Sequence, residues 1–178
     1  MKNIEAEIKS KFINLLKIRR IDEIDVRLLS DELKITRQTF YYHYKNIYDL
    51  IYSIILDEQI EPKENETLEE ISNNILDVFF KKEELFKEIL DSSAKDILEE
   101  MTYSYFYRSF NLYLKCDTRL NLDSRKDVSS FISYGISNYL LTYFKYDNYM
   151  KEDIKEKIKC FLNERSIKSI VEGYLNNI

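Results

Sequence analysis

Ten consecutive residues near the N-terminus gather the side chains best suited to chemistry: Thr36-Arg37-Gln38-Thr39-Phe40-Tyr41-Tyr42-His43-Tyr44-Lys45. On a helix Phe40 and Tyr44 share a face and, with Ile35, suit a core, which turns Arg37, Gln38, Tyr41 and Tyr42 to the opposite side. A guanidinium can donate two parallel hydrogen bonds to guanine O6 and N7, a carboxamide can pair with adenine N6 and N7, and a phenol can reach a phosphate or pack on a thymine methyl. The hydroxyls of Thr36 and Thr39, together with His43, Lys45 and the upstream Arg27, carry donors that phosphate oxygens accept. The set suits reading a DNA duplex from its major groove. Composition by itself favours the plainer reading, a solvated amphipathic helix.

Other chemistries lack their residues. His43 is the single histidine, and Cys116 and Cys160 stand far apart with no Cys-x-x-Cys spacing, so neither a zinc set nor a disulfide framework is indicated. The chain has no Gly-rich phosphate loop, no Gly-x-Ser-x-Gly elbow and no Cys-His couple, and its carboxylates read as helix-face charges. We therefore expect no catalytic residue, no metal and no cofactor. Unpaired cysteines fit a reducing cytoplasm, and no apolar run reaches the roughly 18 residues that a membrane span needs.

The elements that must position the ten residues follow from composition and periodicity. The 178 residues include only two glycines and one proline, with 44% hydrophobic and 33% charged residues, a balance that predicts an all-α fold. Ile4, Ile8, Phe12, Leu15 and Leu16 mark a first helix over about 2–19. After a short connection, Ile21 to Ile24, Asp25 can cap a second helix carrying Val26, Leu29 and Leu33. Lys34 and Ile35 interrupt the pattern, and Thr36 can cap a third helix, Arg37 to Tyr44. A fourth runs from about Ile47 toward Glu61-Pro62. Beyond Thr67 the periodicity predicts a helix through Phe79, a shorter one around Leu85 to Leu90, long helices over Ala94 to Lys115 and Val128 to Tyr146, and a last one from Lys151 to Tyr174. That makes about nine helices. Cys116 to Asp127 reads as a polar interval.

Charge is unevenly placed. Residues 1–50 hold ten Lys/Arg against eight Asp/Glu, about +2, whereas 51–178 hold seventeen against twenty-four, about −7, which together give the net −5. The net charge by itself disfavours a nucleic-acid partner, and its distribution assigns any DNA contact to the N-terminal part.

Residues 8–55 resemble the DNA-binding head of the tetracycline-repressor (TetR) family. The resemblance rests on Ile24-Asp25-Val26, then Thr39-Phe40-Tyr41-Tyr42-His43-Tyr44-Lys45-Asn46, then Asp49-Leu50-Ile51. It covers about a quarter of the chain. Two positions depart from the pattern: Lys34 stands at a turn position that is usually glycine, and Ile47 stands where the family commonly places a phosphate-gripping lysine at the start of helix four. The resemblance implies a three-helix helix-turn-helix head over 1–48 and a ligand-binding, dimerising body over 49–178. It also implies a transcriptional regulator that represses from a palindromic operator and is released by a small-molecule inducer. A homodimer is implied through the last two helices.

The body supplies apolar stripes for such a dimer, Val128, Ile132, Ile136, Tyr139 and Tyr143 on one helix and Ile154, Ile158, Phe161, Leu162, Ile167, Ile170 and Val171 on the next. Its aromatics are core by default. Phe86, Tyr103, Phe106, Tyr107, Phe110, Tyr134 and Tyr139 are the candidates for a ligand pocket, because phenol hydroxyls can orient a molecule that an apolar wall holds. A competing reading is a helical dimer that acts mainly through protein or ligand binding with weakened DNA affinity, which Ile47 and the acidic body favour.

Overall fold

The computed structural model describes residues 4–58, 60–146 and 151–177, and all of its regular structure is helical. Ten α-helices and two short 3-10 turns are present among the described residues. They are α1 (Ile4–Leu15), α2 (Val26–Leu33), α3 (Arg37–His43), α4 (Ile47–Leu56), α5 (Leu68–Lys81), α6 (Glu83–Leu90), α7 (Lys95–Tyr113), α8 (Leu122–Lys145), α9 (Lys151–Phe161) and α10 (Glu164–Leu175). No described helix is long and apolar enough to cross a membrane.

The chain forms two compact units. One comprises residues 1–59 and 84–98, the other 60–83 and 99–178. In the first, α1 buries Ile8, Phe12 and Leu15 and packs on α2, which packs in turn on α3. The sequence predicts α1 through residue 19, but the helix ends at Leu15. There the backbone tightens, with the Ile18 amide donating to Leu15 O at 3.0 Å, a short-range closure that spends the final carbonyls. Residues 2 and 3 of the expected span lie outside the described residues. α4 ends at Leu56, ahead of the Glu61-Pro62 stop read from sequence, and buries Leu50, Ile51, Ile54 and Ile55.

In the second unit α5 begins with a reciprocal cap: the Glu70 amide donates to Thr67 Oγ1 and the Thr67 amide to Glu70 Oε2. Ile71, Ile75, Leu76 and Phe79 of α5 are buried, as are Ile154 and Ile158 of α9, the helix it packs against. Lys159–Glu69 and Lys151–Glu83, at 2.6 and 2.7 Å, flank that seam.

Two expectations for the C-terminal half are corrected. α8 starts at Leu122, not Val128, because Asn121 Oδ1 accepts from the amides of Asp123 and Ser124 and draws the second half of the supposed polar interval into the helix. The expected single helix over 151–174 is two, because after Phe161 the chain breaks and Asn163 starts α10 by accepting from the Ser166 amide.

Lys34 carries a testable cost. It closes α2 at φ 56°, ψ 40°, in the left-handed region, with an exposed side chain. Lys34→Gly should raise the unfolding free energy by about 0.5–1 kcal/mol, the relief of a left-handed backbone outweighing glycine's extra unfolded-state entropy. Urea denaturation measures this, and a fall in stability would contradict the left-handed turn.

Candidate nucleic-acid interface

α3 is only seven residues long, and its geometry is fixed from both ends. At the start, Thr36 Oγ1 accepts from the Thr39 amide at 3.1 Å and lies 2.9 Å from the Thr39 hydroxyl. At the end, the Tyr44 amide donates to Phe40 O, after which Asn46 caps α4 by accepting from the Asp49 amide. The Lys45 amide is held by Asp49 Oδ2 at 2.9 Å. These bonds fix where α3 begins and ends.

Phe40 is wholly buried, with Tyr44 beside it at 5.7 Å between ring centroids. Burial pushes the Tyr44 phenol up to about 12. With those two inward, Arg37, Gln38, Tyr41 and Tyr42 are exposed, Tyr42 at 86%. Thr36 and Lys45 are also exposed, while Thr39 and His43 are half-buried. Arg27, exposed on α2, pairs loosely with Asp31 at 3.8 Å. Tyr42 packs edge-on against His43, with ring centroids 5.1 Å apart.

Arg27, Arg37 and Tyr41 border one shallow depression of about 420 Å³, whose other walls include Asp22, Asn46, Tyr48 and Ser93. Ile47, at the position of the expected phosphate-gripping lysine, is half-buried in its lining. Sequence reasoning missed Asp22, Tyr48 and Ser93. The Ser93 hydroxyl lies 2.5 Å from Asp22 Oδ1 and 2.9 Å from the Tyr48 hydroxyl, joining residues 71 and 45 positions apart that no local pattern links.

The aromatic ligand candidates do not converge. Phe86, Phe106 and Phe110 are wholly buried core side chains, with Phe106 and Phe110 stacked at 5.9 Å. Tyr103 and Tyr107 are half-buried, and Tyr103 packs 4.3 Å from Tyr134 while sharing a hydrogen bond with Ser130. Tyr134 and Tyr139 alone of the set line an apolar groove of about 550 Å³ within the second unit, together with Phe131, Phe161, Ile167 and Ile170. Phe131 and Tyr134 are each about two-thirds exposed there. Cys116 and Cys160 are free and exposed, and among the described residues no cluster of His, Cys, Asp or Glu is placed to hold a metal ion.

The chain matches no family profile and no curated protein sequence.

Asp22 gives the site a pH signature. Hydrogen bonds from the Ser93 side chain and then its amide hold the Asp22 carboxyl below its ordinary 3.8, helped by the charge of Arg20. A depressed carboxylate contributes stability that is present above the unfolded value and lost as pH falls through the folded one. Ser93→Ala should therefore raise the Asp22 pKa toward 3.8, read by carboxyl NMR titration, and the stability gap to the parent should close in acid. An unshifted Asp22 titration would show that these bonds do not form in solution.

Proposed function

We propose that the chain is a sequence-specific DNA-binding transcriptional regulator of the TetR type, with α2 and α3 acting as a helix-turn-helix and α3 entering the major groove. The observation that carries this reading is the division of α3 into a buried Phe40/Tyr44 face and an exposed Arg37, Gln38, Tyr41 and Tyr42 face. The left-handed Lys34 turn joining α2 to α3 supports it, because it reproduces the turn that the resemblance calls for at a position usually occupied by glycine. Arg37 and Gln38, at the N-terminal end of α3, stand where a recognition helix presents base-reading groups. Thr36, Thr39, His43, Lys45 and Arg27 would take phosphates and set register.

The regulator would act as a homodimer joined through α8 and α10, whose exposed Phe131 and Tyr134, with Ile170, supply an apolar surface for a second copy. A two-fold dimer presents two recognition helices to successive major grooves about 34–36 Å apart on a palindromic operator. A small-molecule ligand of the second unit would release DNA by favouring a dimer in which that separation differs, by no more than its differential affinity for the two states. Repression is thus the resting condition in this scheme.

A second reading, a helical dimer with weak DNA affinity, draws on one observation: Asp22 and Ile47 border the depression beside Arg37, where a phosphate contact would prefer a cation. Selection and sequencing of protein-bound genomic fragments separates the two. The regulator reading expects an enriched palindrome, with Arg37→Ala and Tyr41→Ala each costing about 1–3 kcal/mol of binding at particular base pairs and Lys45→Ala weakening all sequences alike. Absence of enrichment at low salt would favour the second reading.

A further inference from the structure

Val128 to Phe144 of α8 include no charged residue, in a chain of which 33% is charged. The run is not enclosed by the rest of the second unit. Phe131 and Tyr134 stand largely exposed on it, with Gly135, Asn138 and Thr142 open beside them. The apolar groove that α8 shares with α9 and α10 likewise has no charged side chain in its lining. Charge is depleted in this way at the centre of a protein interface, and a surface without charge fits a partner surface equally free of it. No other described helix carries a charge-free run as long, so the matching surface is the same face of a second copy.

Glycine placement says where the two copies come closest. Gly135 and Gly173 are the chain's only glycines. Each sits inside a helix, Gly135 on α8 and Gly173 on α10, and neither has a left-handed backbone that would require it. Both are exposed, and beyond the helix's own backbone a β-carbon at either would meet no neighbour within 4 Å. Glycine weakens a helix interior more than any residue except proline, and nothing within the single chain accounts for its use at these positions. What it permits is the close approach of another backbone. Of the two, only Gly135 also lines the groove, and it stands near the middle of the uncharged run.

We propose that α8 crosses α8 of a second copy at Gly135, the two helices running antiparallel about a two-fold axis. The inference deepens the homodimer proposed above and rests on that reading. In such an isologous contact, a residue a given number of positions before the crossing faces the partner's residue the same number after it. Phe131 then lies over the partner's Tyr139, a groove residue that packs edge-on against Phe161 with ring centroids 5.3 Å apart. An exposed ring on each copy thus meets the groove of the other. The first charges beyond the uncharged run are Asp127 at one end and Lys145 at the other, both exposed. Antiparallel pairing sets these unlike charges side by side at both ends of the contact.

Cysteine cross-linking of the full chain tests the crossing, with the exposed Cys116 and Cys160 first replaced by serine. Gly135→Cys should give a disulfide-linked dimer under mild oxidation, because the bond needs Cα atoms within about 7 Å of each other. Lys145→Cys should not, since an antiparallel crossing at Gly135 leaves it roughly 30 Å from its counterpart. Sedimentation equilibrium supplies a second measurement. Gly135→Leu, whose β-carbon meets nothing inside the chain, should keep its helical circular dichroism and weaken dimerisation at least tenfold. A dimer that does not cross-link at Gly135, that cross-links equally at Lys145, or that a folded G135L forms undiminished overturns the crossing and leaves the dimer standing. A parent chain that stays monomeric at every concentration overturns both.

Discussion

The burial of Phe40 and Tyr44 is the constraint from which the candidate interface follows. Seven residues make fewer than two full turns, too short for a helix to be stable in water without tertiary packing. Fixing Phe40 and Tyr44 inward supplies that packing, Phe40 contributing about 1.5–3 kcal/mol by leaving water. It also removes the rotational freedom of α3. Once those two rings are seated, Arg37, Gln38, Tyr41 and Tyr42 must face solvent. Stability and display are consequences of one arrangement.

The connections around α3 do the same work at the backbone level. Asp25 caps α2 through the Leu28 amide, Thr36 caps α3 and Asn46 caps α4, so each of the three successive helix starts has an oxygen for a free amide. Between α2 and α3 the chain reverses through Lys34 in a left-handed conformation, with the Lys34 and Ile35 amides closing on Asp31 O and Ser30 O. A lysine there gives up some stability that glycine would keep. What it supplies in exchange is a cation at the end of α2, next to residues proposed to meet phosphates.

Much of the N-terminal unit could be read from sequence because its signals are local. Asp25 and Thr36 are capping residues ahead of apolar periodicity, and α2 and α3 begin at the following residue, as α5 does after Thr67 in the second unit. Where the signal was not local, sequence reasoning went astray. The start of α8 was hidden because Ser124, the buried residue of its first turns, is polar and occupies the face that periodicity searches for apolar residues. The break between α9 and α10 was hidden because Leu162-Asn163 contains neither glycine nor proline, and the pattern of Ile154, Ile158, Leu162, Ile167 and Val171 runs through it. Of the candidate site, the exposed face of α3 came from spacing alone. The Asp22, Tyr48 and Ser93 cluster depends on residues brought together across the chain, and no spacing rule reaches it. The aromatic ligand candidates show the opposite limit: aromatic density fills a core and lines a groove with the same residues.

The proposed role of the outward face of α3 is to meet DNA. Its most direct test is amide NMR mapping of the labelled chain during titration with a selected duplex at low salt. The largest shift changes are expected over Thr36 to Lys45 and around Arg27, reversed as salt is raised. Shifts confined to residues outside the first unit, or none at any salt concentration, would contradict it.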